Sequence, residues 1–389
     1  MRLTFRLLAL IVVLAAGPVR AADNSAYVLF DVRSGAVLDA RDAGHRWQPA
    51  SLTKLMTAYV TFKALREGRL TLTSPVRISA HALAQAPAKM GFKAGTLVNV
   101  DNALKMMLVK SANDIAVAVA ETLGGSEAGF VAMMNAEARR LGMVSTHYDN
   151  PNGLPSAGQV TTARDLAVLA RALWLDFPER RELFRIPAIR AGKRVLRSQN
   201  VLLERYHGAN GMKTGFICAS GYNIVGAASR GGRQLMVVVL GASSSKNRAE
   251  TAALLLNRGF SNRYNGAGPT LAGLASVPAS GPVANMRAEV CTLAGKATDE
   301  DDPLLSEVAS NSALVPRFQT MAPVPVYTGR TDVAGGGSTV KSVPASKVPL
   351  PRLRPRQMVA GTPRAYAEEP AASPATLAIK PPLDLTKIH

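Results

Sequence analysis

The chain has 389 residues, 47% of them hydrophobic and 19% charged, which is length for two or three ordinary domains and enough apolar content to bury a core. Its 46 Lys and Arg against 27 Asp and Glu give a formal net charge of +19, a property that bears on anionic surroundings and not on fold. Nucleic acid is set aside as a partner, because the cations are scattered, aromatic content is only 5%, and no zinc-finger, helix-turn-helix or RNA-platform signature occurs.

At the start, Arg2 and Arg6 precede an apolar run at 7–16 that is too short to span a bilayer comfortably. Val19-Arg20-Ala21 follows with small residues where a signal peptidase reads. Residues 1–21 are therefore expected to be a signal peptide cut between Ala21 and Ala22, with an uncleaved anchor as the alternative. Residues 22–261 read as one ordered domain. Strands at 27–31 and 36–39 flank the turn Arg33-Ser34-Gly35. A helix begins at Ser51, with Leu52, Leu55, Met56, Tyr59, Phe62 and Leu65 on one stripe and Gly68 as its stop. Further helices are predicted at 103–109, at 114–123 before Gly124-Gly125, and from a Ser126 cap to Gly142. Strands at 222–229 and 234–240 are joined by a tight turn, and a helix over 243–258 ends at Gly259. Strands, a helical block, strands and a helix predict an α+β fold: an antiparallel sheet packed against helices, with a mainly helical insertion.

From 262 to 389 Ala, Pro, Ser, Gly and Thr dominate, and most of this tail is predicted to be disordered. The acidic run 299–302 and the segments around Val315 and Val324 are its candidates for a small appendage. Cys218 and Cys291 are the only cysteines; in an oxidising compartment they either pair or stand as two thiols. No Cys or His spacing suits a metal, and no cofactor is called for.

Three elements carry chemistry. Ser51-Leu52-Thr53-Lys54 places a hydroxyl and an amine one helical turn apart on one face. A serine hydroxyl needs such a base to become a nucleophile. Alone the pair is weak, since Ser243/Lys246 and Ser338/Lys341 repeat it and a serine there is also an N-cap candidate. Ser111-Ala112-Asn113 offers a hydroxyl and a carboxamide between two helices, although Ser198-Gln199-Asn200 has the same pattern and capping is again an alternative. Lys213-Thr214-Gly215 occurs once. On an edge strand it supplies a cation, a donor and room for close backbone approach.

Taken in order, these three elements resemble the three-motif pattern of penicillin-binding proteins and serine β-lactamases. The flanking residues make the chain similar to the low-molecular-mass penicillin-binding proteins that act as D-alanyl-D-alanine carboxypeptidases. Those residues are Pro49-Ala50 before Ser51, Asn150-Pro151-Asn152-Gly153-Leu154, Thr161-Thr162-Ala163-Arg164-Asp165, and Gly211-Met212 through Gly221-Tyr222-Asn223. The resemblance covers about 26–260 and implies a β-lactamase/transpeptidase-like fold. It implies Ser51 as nucleophile, Lys54 as general base and Ser111 as proton relay to the leaving amine. Asn113 would hold the substrate's peptide group, and Lys213, Thr214 and Gly215 would receive its terminal carboxylate. Arg248 assists as a later basic residue, and the main-chain N–H groups of Ser51 and Phe216 form the oxyanion hole. The implied partners are peptidoglycan stem peptides ending in D-Ala-D-Ala and β-lactam antibiotics, whose strained amide mimics the scissile bond.

Phe216 departs from the resemblance, since a polar residue is expected after the third motif. The tail lacks the alternating strands of a β-rich second domain, and 379–389 carries no amphipathic stripe, so a periplasmic protein is expected, with membrane or wall association through the basic tail left open. A β-lactamase is the nearest rival, but no glutamate lies between Asn150 and Ala170 to activate a deacylating water, and Asp165 reads as half of a capping box begun by Thr162. A D,D-endopeptidase with the same machinery and a non-catalytic peptidoglycan binder also fit the three motifs. His45, His81, His147 and His207 stand apart from any G-x-S-x-G elbow or metal spacing.

Overall fold

In chain order, the structure of the protein, a computed structural model, describes residues 25–261, 268–276, 279–292 and 312–329; the expected signal peptide and residues 330–389 of the tail lie outside the described residues. Strands β1 (Ala26–Asp31) and β2 (Val37–Arg41) form the first hairpin. Its turn is closed by the Asp31 carboxylate, which accepts from Ser34 N–H at 3.0 Å. A 3-10 turn (Ala50–Leu52) opens into α1 (Thr53–Arg66). The insertion follows as β3 (Pro75–Arg77), α2 (Ala80–Ala84), β4 (Leu97–Asn99), α3 (Val100–Lys105), α4 (Asn113–Gly124), α5 (Glu127–Arg140) and α6 (Ala163–Asp176). The chain then runs through β5 (Ala188–Ala191), β6 (Arg194–Arg197), α7 (Leu202–Arg205), β7 (Ala209–Ile217), β8 (Gly221–Arg230), β9 (Arg233–Ala242), α8 (Ser245–Phe260) and β10 (Val324–Val326).

The five-stranded sheet has the order β2-β1-β9-β8-β7, with antiparallel pairings throughout. Strand β7 is therefore an edge, free on one side to face the helices of the insertion. Alternate residues of β9 enter two cores. Met236, Val238 and Leu240 join the helical side, whereas Leu235, Val237 and Val239 join the α8 side. Burial of both faces explains the unbroken apolar run in this strand, where a half-exposed sheet would alternate. Helix α1 is buried from Thr53 to Phe62 on every side, so the apolar stripe visible in the sequence understates its burial. Caps fix the helix starts: Ser126, Thr162 and Ser244 accept from Gly129, Asp165 and Asn247 N–H respectively.

Three departures from the sequence reading have physical reasons. The helix expected at 103–109 is the short α3 followed by a π-helical turn over Met106–Lys110, held in place by the burial of Met106 to Val109. The small sheets β3-β4 and β10-β5-β6 have no clear sequence signature, because strands of three or four residues are too short to show alternation. Finally, order does not stop at 261. Leu271, Leu314 and Val326 are buried, β10 runs parallel to β5, and Val315 and Phe318 N–H donate to the Arg205 and Glu204 carbonyls at 2.9 and 2.8 Å. A disulfide joins Cys218 to Cys291, resolving the choice the sequence left open. Composition averaged over a long tail hides a few apolar anchors that suffice to dock short stretches of it.

The disulfide ties the turn after β7 to a segment 73 residues away. Replacing both cysteines with serine is expected to lower unfolding stability by about 2–4 kcal/mol, through the freed entropy of the unfolded chain. Urea unfolding followed by circular dichroism checks this, and an unchanged midpoint is the contrary result.

Candidate active site

Ser51 lies in the 3-10 turn ahead of α1, and its side chain caps nothing. The capping alternative therefore fails. Ala50, just before it, takes the left-handed φ of +48°, a conformation unfavourable for a non-glycine residue and often retained at working sites. One turn on, Lys54 is fully buried, and its Nζ stands 2.9 Å from Ser51 Oγ. Two further groups meet the amine: Asn113 Oδ1 at 2.6 Å and the main-chain carbonyl of Asn152 at 2.5 Å. Burial, then the positive charge of Lys213, pushes the Lys54 amine well below the ordinary lysine range, while the Asp114 carboxylate opposes them.

Asn113 begins α4, but its side chain is spent on the site. Its Nδ2 donates to the Ala86 carbonyl at 2.9 Å, which leaves Oδ1 for Lys54. Ser111, two residues earlier, is buried at the end of the π-helical turn with φ +64°. This left-handed turn lets the chain leave one helix and enter the next within a residue. Asp114, fully buried, accepts from the N–H groups of Met90, Gly91 and Ile115.

The third element arrives on edge strand β7. A Cβ on Gly215 would lie 3.1 Å from both Pro49 O and Ser51 N, so the strand's main chain runs against the nucleophile's own turn. Lys213 is buried with Nζ donating to the Thr214 carbonyl at 2.8 Å, and burial together with the Arg248 guanidinium brings it down to about 7. Thr214 is buried beside it. Arg248, in the first turn of α8, donates to Gln199 O and Ser245 Oγ, both at 3.1 Å, and lies over the Tyr222 ring. Phe216 is half-buried and packs on Tyr222 at 4.3 Å between ring centroids. The polar residue expected there is thus replaced by an aromatic step.

Two contributors escaped the sequence reading. Asn152 acts through a main-chain carbonyl; it lies in the 150–154 stretch that carries the family resemblance, which gave it no role. The segment 85–91, which touches Asn113, Asp114 and Asn152, has no motif at all. Asp165 is committed elsewhere: its carboxylate accepts from Arg164, Ser145 and Thr146, and its N–H donates to Thr162 Oγ1. His207 stacks on Phe318 at 4.8 Å, away from the Lys54 contacts.

A buried lysine beside a helix-borne serine, under an edge strand carrying lysine, threonine and glycine, defines the penicillin-binding and serine β-lactamase fold class. Residues 14–244 match the model of the D-alanyl-D-alanine carboxypeptidase family, peptidase S11, and the chain belongs to that family. It is 36% identical over 245 residues to D-alanyl-D-alanine carboxypeptidase DacC of Escherichia coli K12, covering 61% of this chain and 61% of that protein. The match thus spans less than two thirds of that relative's length. DacB2 of Mycobacterium tuberculosis is 37% identical over 234 residues, 58% of this chain and 78% of that one. Among solved structures, DacD from Francisella tularensis superposes with TM-score 0.59 at 31% identity, covering 61% of this chain and 70% of that one. Penicillin-binding protein D2 from Listeria monocytogenes in its ampicillin-bound form superposes with TM-score 0.54 at 32% identity, covering 60% and 96%.

Gly153 supports the site by its lack of a side chain. At φ +89°, a Cβ there would sit 1.9 Å from Ala50 O and 2.9 Å from Ser51 N. Gly153→Ala is expected to displace the 150–154 loop from Lys54 and to destabilise the fold by about 1–3 kcal/mol or more. Thermal unfolding together with penicillin labelling checks both, and a stable, fully labelled variant is the contrary result.

Proposed function

We propose that the chain is an exported serine-type D-alanyl-D-alanine carboxypeptidase, acting on stem peptides in the periplasm and acylated by β-lactams at Ser51. One observation carries this reading: the three groups around the Lys54 amine. Asn113 Oδ1 and the Asn152 carbonyl can only accept, so a neutral amine must give its two protons to them. The remaining lone pair then faces Ser51, whose O–H donates to it. Burial and the Lys213 charge favour that neutral form.

With the proton passed to Lys54, Ser51 Oγ attacks the carbonyl carbon between the two D-alanines. The oxygen gains negative charge under the N–H groups of Ser51 and Phe216. As the C–N bond breaks, Ser111 relays the proton held by Lys54 to the leaving amine, and D-alanine departs with Lys54 neutral again. Water then gives a proton to Lys54 and attacks the ester, and Lys54 returns that proton to Ser51 Oγ as the shortened peptide leaves. Lys213, Thr214 and Arg248 hold the terminal carboxylate; Asn113 also orients the peptide group. A β-lactam enters the same path through its strained amide, a step the ampicillin-bound Listeria relative supports by similarity. Export is supported by the composition of residues 1–21 and by the disulfide, a bond suited to an oxidising compartment. The β-lactamase reading is disfavoured because the Asp165 carboxylate is already filled by Arg164, Ser145 and Thr146, and that of Asp149 in the preceding loop by Ser156 and Gly158.

Mass spectrometry after penicillin is expected to find one adduct on the mature chain and none on Ser51→Ala. Release of D-alanine from a pentapeptide, set against a cross-linked dimer, separates carboxypeptidase from endopeptidase; turnover of neither contradicts the proposal. In pH profiles of kcat/KM, activity rises as Lys54 loses its proton and falls as Lys213 loses its own near 7. Lys213→Gln is expected to abolish the falling limb, to weaken carboxylate substrates about 10- to 100-fold, and to move the rising limb to higher pH by removing a like charge from Lys54. An unmoved rising limb would count against the coupling.

A further inference from the structure

Asn113 Oδ1 and the Asn152 carbonyl must stay seated on the Lys54 amine, and one short segment after α2 grips both residues. Gln85 closes α2. Its Nε2 donates to the His81 carbonyl at 3.3 Å, which turns Oε1 outward to accept from Asn152 Nδ2 at 2.9 Å. The other end of the Asn152 carboxamide is also used, with Oδ1 accepting from Leu154 N–H at 2.9 Å. Both amide orientations are thereby fixed by their partners. The next residues serve Asn113: the Ala86 carbonyl accepts from its Nδ2 at 2.9 Å and the Ala88 carbonyl from its N–H at 2.8 Å. Beyond them, Met90 and Gly91 N–H donate to the buried Asp114 carboxylate at 3.0 and 2.8 Å, so the segment is tied at its far end.

Asn152 itself stands at a turn. It precedes Gly153, whose φ of +89° is a conformation other residues seldom take. Among the described residues, the bond to Gln85 is the one tie from the Asn152 side chain to an element outside its own loop.

We infer that Gln85 is a positioning residue for acyl transfer at Ser51: its side-chain oxygen holds the Asn152 carboxamide and so keeps the Asn152 main-chain carbonyl on Lys54 Nζ. This rests on the proposed role of Lys54 as base. Gln85 touches no reacting atom and acts through Asn152 alone.

The test measures the rate of fluorescent-penicillin acylation against pH for the whole chain, for Gln85→Met and for Gln85→Glu, with Ser51→Ala as blank and thermal midpoints recorded for each. Gln85→Met keeps length but loses the acceptor. Acylation is expected to slow about 10-fold, because the base is less well held. Its rising limb should move to lower pH, since the amine loses a carbonyl that favours its charged form. Gln85→Glu keeps an acceptor oxygen and should stay within about 3-fold of the parent at its plateau, yet its rising limb should move to higher pH, because a carboxylate near the site favours charged Lys54. A merely structural role would lower the midpoints without moving the limbs in opposite directions. Parent-like rates and limbs in both variants, or limbs moving the same way, overturn the inference while a labelled parent chain leaves the Lys54 reading standing. A parent chain that takes no label overturns both.

Discussion

The structure depends on keeping one amine buried. Lys54 lies inside α1 with no exposure to solvent, beside a second buried lysine and under a five-stranded sheet. An isolated ammonium there would carry a large desolvation penalty, and the neighbouring Lys213 adds repulsion. The neutral amine removes that penalty and needs two acceptors and one donor around it. Asn113 Oδ1 and the Asn152 carbonyl are acceptors, and the Ser51 hydroxyl oxygen, 2.9 Å from the amine, is its third partner. The same burial that makes the fold cohere therefore sets the protonation state on which the proposed chemistry relies.

Several features that look unrelated serve this arrangement. The edge position of β7 brings Lys213 and Gly215 against the Ser51 turn, where any larger residue at 215 would press on the main chain. The loop 150–154 is pinned to α1 twice, by Lys54 and by Thr57, whose hydroxyl donates to the Pro151 carbonyl at 2.6 Å. Arg248 on α8 helps bring Lys213 to about 7, and Lys213 in turn lowers Lys54, so one cation tunes the next.

Much of this was legible in the sequence, and what was not has a common cause. Ser51 and Lys54 are visible because their chemistry lies in side chains at a fixed helical spacing, and Asn113 because a carboxamide follows a serine between two helices. The main strands and helices carry strong periodicity and turn residues. Asn152 and Gln85 were missed because they contribute a backbone carbonyl and a carboxamide in loops, where residue type alone distinguishes nothing. In the tail, composition argues against order over most of its length, while the segments around Val315 and Val324, its candidates for an appendage, dock through Leu314 and Val326, and Cys291 finds a partner. Short strands such as β6 hid because four mostly exposed residues carry no alternation to read.

The most direct test of this picture is the charge on Lys54 itself. In the mature chain labelled with carbon-13 at lysine Cε, the Lys54 resonance, assigned by comparison with Lys54→Arg, can be followed by NMR from acid to alkaline pH. Lys54 is expected to lose its proton well below the ordinary value of 10.5, ahead of the surface lysines. A resonance that titrates together with the surface lysines would contradict that expectation.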